Sequence, residues 1–274
     1  MNNWVIAVIL GVVEGLTEFL PVSSTGHLII AGSLLGFVGD KASGFEIVIQ
    51  LGAILSVVFL YWKRFIRLIP GRDRSLIRER SALDGWSGLW RIALATLPAL
   101  VAGYLGRHRI KEELFNPETV TWALAAGGAA ILLVERFMAR RAAEDLDHLT
   151  FWQALGVGLF QVLALWPGTS RAAATIVGGM AVGLDRKSAA EFSFLIAVPV
   201  MFAATGYELL KIGDQLAVHD SLQLGVGFLV SFIVALAAVK GFVRYLERGK
   251  LAPFAWYRIV AAPVFYFLTR GASF

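Results

Sequence analysis

The 274-residue sequence predicts an all-α polytopic integral membrane protein: an inverted-topology repeat of six full spans plus two re-entrant helical hairpins. Three observations carry that expectation. Hydrophobic residues make up 57% of the chain and charged residues only 16%, with a mean hydropathy of +0.69, far above an ordinary soluble domain. Six apolar runs approach or exceed the roughly 20 residues that a helix needs to cross a bilayer. Two further apolar stretches are each broken in the middle by a polar cluster containing a proline.

The elements follow in order. A broken stretch, 4–36, carries "PVSSTGH" in its middle, and full spans are expected near 45–62, 88–106 and 119–137. A second broken stretch, 151–185, carries "PGTSR", and spans follow near 189–210, 222–243 and 253–270. A broken stretch is either one bent span or a hairpin that dips in and returns. Non-helical backbone at membrane depth is tolerated only where protein or a wet cavity covers it. Loop charges choose between the two. With both stretches read as hairpins, sixteen basic residues fall on the cytoplasmic side: Lys63, Arg64, Arg67, Arg72, Arg74, Arg78 and Arg80; Arg136, Arg140, Arg141, Arg186 and Lys187; Lys240, Arg244, Arg248 and Lys250. Only six fall outside, namely Lys41, Arg107, Arg109, Lys111, Lys211 and Arg270, while Arg91, Arg171 and Arg258 lie within or at the edge of spans. That asymmetry follows the positive-inside rule and turns both termini outward. Tyr61, Trp62, Trp86, Trp90, Trp152, Trp256 and Tyr257 crowd the span ends as interfacial anchors.

The chain also repeats itself. Pro21-Val22-Ser23-Ser24-Thr25 matches Pro167-Gly168-Thr169-Ser170-Arg171, 146 positions later, and an acidic residue, Glu46 or Glu191, opens the span after each cluster. Residues 1–148 and 149–274 then each hold one hairpin and three spans. Three is odd, so the second half enters the membrane upside down. Paired interrupted segments point to a binding site at the repeat interface. There is no cysteine, hence no disulfide framework or thiol chemistry. The N-terminus lacks a basic region, and Glu14 and Glu18 interrupt its apolar stretch, so no cleavable signal peptide is expected. The net charge of +5 reports orientation rather than a nucleic-acid partner. Small residues in "GYLG" and "GVGF" permit close helix packing, within the chain or between copies in a homo-oligomer.

The two clusters carry the chemistry. Glu14 and Glu18 stand four apart, on one helix face. At membrane depth they must be protonated, paired or bound to a cation, and hard carboxylate oxygens suit Mg²⁺ or Ca²⁺. Pro21 ends the first half-helix, and Ser23, Ser24 and Thr25 stand where N-capping residues belong. His27 alone among the four histidines lies in an apolar segment, since His108, His148 and His219 fall in or beside loops. There it serves as a base, a nucleophile or a hydrogen-bonding strut. Arg171 has no acidic neighbour in sequence, so it takes its counter-charge from Glu14, Glu18 or a ligand. Its guanidinium is a forked phosphate clamp. Thr169 and Ser170 would cap the half-helix that starts there, whose free N–H groups attract anions. Gly168 lets the turn approach a ligand closely. Together the clusters suit a phosphorylated ligand with a metal ion, and the apolar walls suit a lipid tail.

The stretches "EGLTEFLPVSSTGH" at 14–27 and "LALWPGTSRAAATI" at 163–176 resemble the two signature motifs of the undecaprenyl-diphosphate phosphatase, or bacitracin-resistance protein, family. Ala172 and Ala173 depart from the Ser and Gly more usual after the arginine. The resemblance covers essentially the whole chain. It implies hydrolysis of undecaprenyl diphosphate to undecaprenyl phosphate and inorganic phosphate in the bacterial cytoplasmic membrane, which recycles the glycan carrier for cell-wall synthesis and gives bacitracin resistance. It also implies a divalent cation and an inverted-repeat fold. By the same resemblance Ser24 is the nucleophile, Glu18 the group that activates or orients it, Glu14 a metal or site carboxylate, and Arg171 a phosphate ligand. His27 has competing roles as nucleophile, base or leaving-group acid.

The expected reaction is in-line attack by Ser24, assisted by Glu18 or His27, on a polyprenyl diphosphate whose headgroup sits on the outer side. Ser23, Thr25, Thr169, Ser170 and Arg171 would bind substrate, and Glu14 and Glu18 the metal. The rival class is a transporter, a lipid-phosphate flippase or small-anion carrier, because inverted repeats and broken helices also mark carriers. The Ser-Ser-Thr-Gly-His run favours chemistry, since a carrier has less use for a nucleophile beside a base.

Overall fold

A computed structural model describes residues 3–71, 81–114, 116–138, 144–212 and 221–269. The apolar runs become helices: α1 (Asn3–Thr17), α2 (Ser24–Leu35), α3 (Asp40–Leu60), α4 (Trp62–Arg67), α5 (Gly85–Arg109), α6 (Pro117–Met138), α7 (Phe151–Val162), α8 (Arg171–Ala181), α9 (Arg186–Ile212), α10 (Ser221–Leu246) and α11 (Ala252–Thr269). No strand occurs among the described residues. Arg72, Arg74, Arg78, Arg80, Arg140, Arg141, His219 and Arg270 lie outside them.

Among the described residues five helices, within α3, α5, α6, α9 and α10, are long and apolar enough to cross a membrane. The sixth expected span is α11, 18 residues long, whose apolar character is lowered by Arg258. α5, α6, α9 and α10 run one to three residues beyond the expected spans at each end, while α3 starts earlier, at Asp40, and stops at Leu60.

Local chemistry sets the ends of the hairpin arms. Thr150 and Gln153 form a capping box at the start of α7, with Gln153 N–H donating to Thr150 Oγ1 at 3.2 Å and Thr150 N–H to Gln153 Oε1 at 2.8 Å. Gly36, with φ of +65°, closes α2 while Phe37 N–H reaches back to Gly32 O at 2.8 Å. Both broken stretches are hairpins. Gln153, at the start of α7, donates to Val182 O just past α8 at 3.2 Å, so the two arms share one end. In the first hairpin, Leu35 and Phe37 pack back onto the cluster of Ile6 and Leu10. Gly11 lies against Gly227 and Val230 of α10, and Gly15 against Ser231 and Val234, so α1 reaches only about halfway along α10. The close approach expected at "GVGF" is thus made inside the chain.

The loops expected on the cytoplasmic side gather at one end. Arg64 pairs with Asp147 at 2.5 Å and approaches Glu191 at 3.9 Å; Arg67 grips Asp84 at 2.7 and 3.0 Å. Arg186 pairs with Glu135 at 2.6 Å, whose other oxygen accepts Ala252 N–H at 2.6 Å, and Lys187 pairs with Glu247 at 2.9 Å.

At the meeting of the two hairpin tips lies Arg258 of α11, 0% exposed. Its guanidinium donates only to main-chain carbonyls: Leu124 at 3.2 Å, Ala123 at 3.0 Å, Pro21 at 3.3 Å and Gly168 at 3.1 Å. Pro21 and Gly168 are the non-helical breaks themselves, and no other donor reaches their carbonyls among the described residues. Two glycines make the arrangement possible. A methyl group at Gly127 would sit 2.1 Å from Arg258 Nη2; one at Gly168, where φ is +91°, would sit 2.6 Å from Val120 O.

Arg258→Met leaves both break carbonyls without a donor. It is expected to lower unfolding free energy by about 2 kcal/mol, read as a drop in melting temperature of the detergent-solubilised protein.

Candidate active site

Each hairpin tip turns through a serine forced into the left-handed region: Ser23 at φ of +74° and Ser170 at φ of +68°, the only non-glycine residues with positive φ among those described. Such geometry costs on the order of 1–3 kcal/mol and persists only where its surroundings enforce it. Ser23 precedes α2 and Ser170 precedes α8. The two tips therefore correspond one residue off the match read in the sequence: Ser23 answers to Ser170, and Ser24 to Arg171, the first residue of each half-helix. Ser170 Oγ caps its helix, accepting Ala173 N–H at 3.2 Å. Ser23 Oγ makes no capping bond.

Ser24 and Arg171 converge on one carboxylate. Ser24 Oγ donates to Glu18 Oε2 at 2.5 Å, and Arg171 Nη2 donates to Glu18 Oε1 at 3.3 Å. Arg171 Nη1 donates to Ser193 O at 3.1 Å, and the guanidinium lies 5.6 Å from the centre of the Phe19 ring. Its Nε is buried and has no partner. These groups border a cavity of about 140 Å³ lined by Glu18, Ser23, Ser24, Thr25, Gln50, Trp166, Ser170, Arg171 and their neighbours. Two helix N-termini open onto it, each a natural anion site.

Other expected residues sit elsewhere. His27 makes no hydrogen bond to Ser24 and does not line the polar cavity. Its Nδ1 donates to Ser23 O at 2.7 Å, so the neutral ring leaves Nε2 to accept the Tyr257 hydroxyl at 2.5 Å. Tyr257, expected as an interfacial anchor, stacks on that imidazole with ring centres 5.6 Å apart. Thr169 lines a separate apolar cavity and not the polar one. Glu46 lies within electrostatic reach of Glu14, whereas Glu191 joins the Arg64 network at the far end.

Glu14 is 1% exposed and its Oε1 has no partner. Among the described residues no three His, Asp or Glu side chains surround a common point. The pair Glu14 and Glu18 nevertheless fits a hard cation, which commonly takes one or two carboxylates and completes its shell with phosphate oxygens and water. The orphaned Glu14 oxygen is the atom such an ion would satisfy.

Three residues at or beneath the site escaped the sequence reading of function: Gln50, Tyr257 and Arg258. The signal for Arg258 was the one used for Arg171, a cation in an apolar segment with no acid nearby. Gln50 and Tyr257 carry no comparable mark, since isolated Gln and Tyr are ordinary in such helices.

A family model described as bacitracin resistance protein BacA matches residues 7–264 of the chain. Curated relatives named undecaprenyl-diphosphatase are similar over nearly their whole length. The one from Maridesulfovibrio salexigens is 54% identical over 270 residues, covering 97% of this chain and 99% of the relative. That of Solidesulfovibrio magneticus is 51% identical over 268 residues (97% and 99%), and that of Desulfovibrio desulfuricans 52% over 271 residues (98% and 100%).

The free Arg171 Nε and the paired helix N-termini are expected to bind a small oxyanion. Inorganic phosphate at ten times its Kd stabilises a protein by about 1.4 kcal/mol. The melting temperature in detergent should rise accordingly for the wild type and stay unmoved for Arg171→Met.

Proposed function

The chain belongs to the bacitracin resistance protein BacA family, and on that footing we propose that it hydrolyses undecaprenyl diphosphate to undecaprenyl phosphate and inorganic phosphate in the cell membrane. This returns the lipid carrier to cell-wall synthesis and underlies the bacitracin resistance for which the family is named. The observation that carries the mechanism is the shared carboxylate: one Glu18 side chain holds the candidate nucleophile on one oxygen and the candidate phosphate clamp on the other.

Ser24 Oγ attacks the terminal phosphorus in line with the bridging oxygen, and its proton passes along the existing bond to Glu18 Oε2. The Oγ–P bond forms as the bridging P–O bond breaks, and undecaprenyl phosphate leaves. Arg171 and the N–H groups opening α2 and α8 meet the charge spreading over the equatorial oxygens, which is the main demand of phosphoryl transfer. Water then attacks the phosphoserine phosphorus: the new O–P bond forms as the Oγ–P bond breaks, Glu18 returns its proton to Ser24 Oγ, and inorganic phosphate leaves. Glu14 and Glu18 would hold Mg²⁺ or Ca²⁺, which when bound neutralises phosphoryl charge. Both ring nitrogens of His27 are engaged, by Ser23 and Tyr257, which supports a positioning role: it holds the strained Ser23 turn that aims Ser24.

The two halves act as inverted repeats whose hairpins meet at the site. The loop-charge asymmetry supports an orientation with the first hairpin, and with it the headgroup, on the outer face of the membrane.

Phosphate release from a C55 prenyl diphosphate by purified protein in detergent micelles tests the reaction, since micelles offer no compartment for a carrier to fill. Ser24→Ala and Glu18→Gln are expected to lower kcat by about 10³-fold, and His27→Gln by about tenfold. EDTA should abolish turnover and added Mg²⁺ or Ca²⁺ restore it. Near-normal turnover by Ser24→Ala would transfer the attack to water.

Orientation is read separately. Ser43 is exposed near the start of α3 in a chain without cysteine. Ser43→Cys is expected to react with a membrane-impermeant thiol reagent on intact cells; protection until lysis would reverse the assignment.

A further inference from the structure

A second cavity of about 540 Å³ lies between α6 and α8, walled almost wholly by apolar atoms. Ala126, Gly127 and Ala130 of α6 form one side, and Leu163 and Val177 stand opposite. The groove is deep because the α6 face is small, and Gly127 cannot grow without striking Arg258. Ala126 is exposed and Leu163 is 57% exposed, so a chain can enter sideways from the bilayer. One side chain, Trp166, borders both this groove and the polar cavity that holds Ser24 and Arg171. Its indole N–H donates to Thr119 O at 3.1 Å, which pins the ring between the second hairpin and α6.

We propose that this groove seats the isoprenoid units nearest the diphosphate, with Trp166 as the wall where headgroup and chain part. The inference rests on the phosphatase reading above and adds where the lipid lies. An amphiphile with its phosphates on Arg171 must lead its tail away along a neighbouring apolar path, and this groove adjoins the polar cavity at Trp166. In a bilayer the tail is already out of water, so the groove adds little hydrophobic free energy. Its role is placement: packing the first units against α6 and α8 stops the headgroup sliding off the Ser24 axis, and small misplacements of a reacting atom are costly. Thr169, which faces the groove, then meets the chain and not the phosphates.

Ala126→Trp fills the groove from an exposed position. In the full-length protein it is expected to lower kcat/KM for the C55 diphosphate at least about tenfold, with the melting temperature unchanged. A benzophenone side chain placed at Ala126 gives a direct readout. On irradiation it should capture radiolabelled C55 prenyl diphosphate, with capture competed by unlabelled substrate and not by phosphatidylglycerol. The same probe at Leu229, exposed on α10, should capture none. Equal competition by phosphatidylglycerol would make the groove a general lipid slot and overturn the proposal, as would unchanged kcat/KM in Ala126→Trp. Absence of phosphate release by the wild type would instead overturn the phosphatase reading itself.

Discussion

A guanidinium withdrawn completely from solvent, with no carboxylate hydrogen-bonded to it, joins the two places where the main chain stops being helical. Arg258 draws Pro21 O and Gly168 O toward one point and ties both to α6 through Ala123 and Leu124. Broken backbone inside a membrane needs donors and acceptors supplied by the protein, because lipid supplies none. Here one side chain on α11 meets that need for both hairpins, so two breaks 147 residues apart in sequence, at Pro21 and Gly168, border one small polar chamber.

The chamber's chemistry follows from that junction. Each half-helix begins after a serine held at positive φ, and each therefore presents its first residue to the same space. In one half that residue is a hydroxyl, in the other a guanidinium, and Glu18 accepts from both. Each Glu18 oxygen accepts from one of these partners. The chamber region keeps one buried donor atom, Arg171 Nε, and one buried acceptor atom, Glu14 Oε1, without a hydrogen bond.

The outer shell is built from residues with no chemical part of their own. The Tyr257 hydroxyl and the Ser23 carbonyl fix the His27 tautomer and ring plane, and Phe19 shields Arg171. At the opposite end the ion pairs of Arg64, Arg67, Arg186 and Lys187 bind the loops together. Arg64 and Arg67 are about a quarter exposed, so these pairs contribute more to alignment than to stability.

Hydropathy and charge act through local composition, and what depends on them was legible in the chain: helical spans, two broken stretches, and the polar residues Glu18, Ser24 and Arg171 that the fold brings together. Proline and serine at each break announced the interruption, and an isolated arginine among apolar neighbours announced a buried partner. Pairing is a different matter, because a hydrogen bond depends on where two groups arrive in space. Nothing near His27 in sequence points to Tyr257, 230 residues away, and nothing near Arg258 names Pro21 or Gly168 as its acceptors. The one-residue offset between the two tips was hidden as well, since identical residue letters aligned Ser24 with Ser170 while the backbone turned at Ser23 and Ser170. Only the folded chain decides such contacts, for the dihedral angles at each tip are set by what the surrounding helices will accommodate.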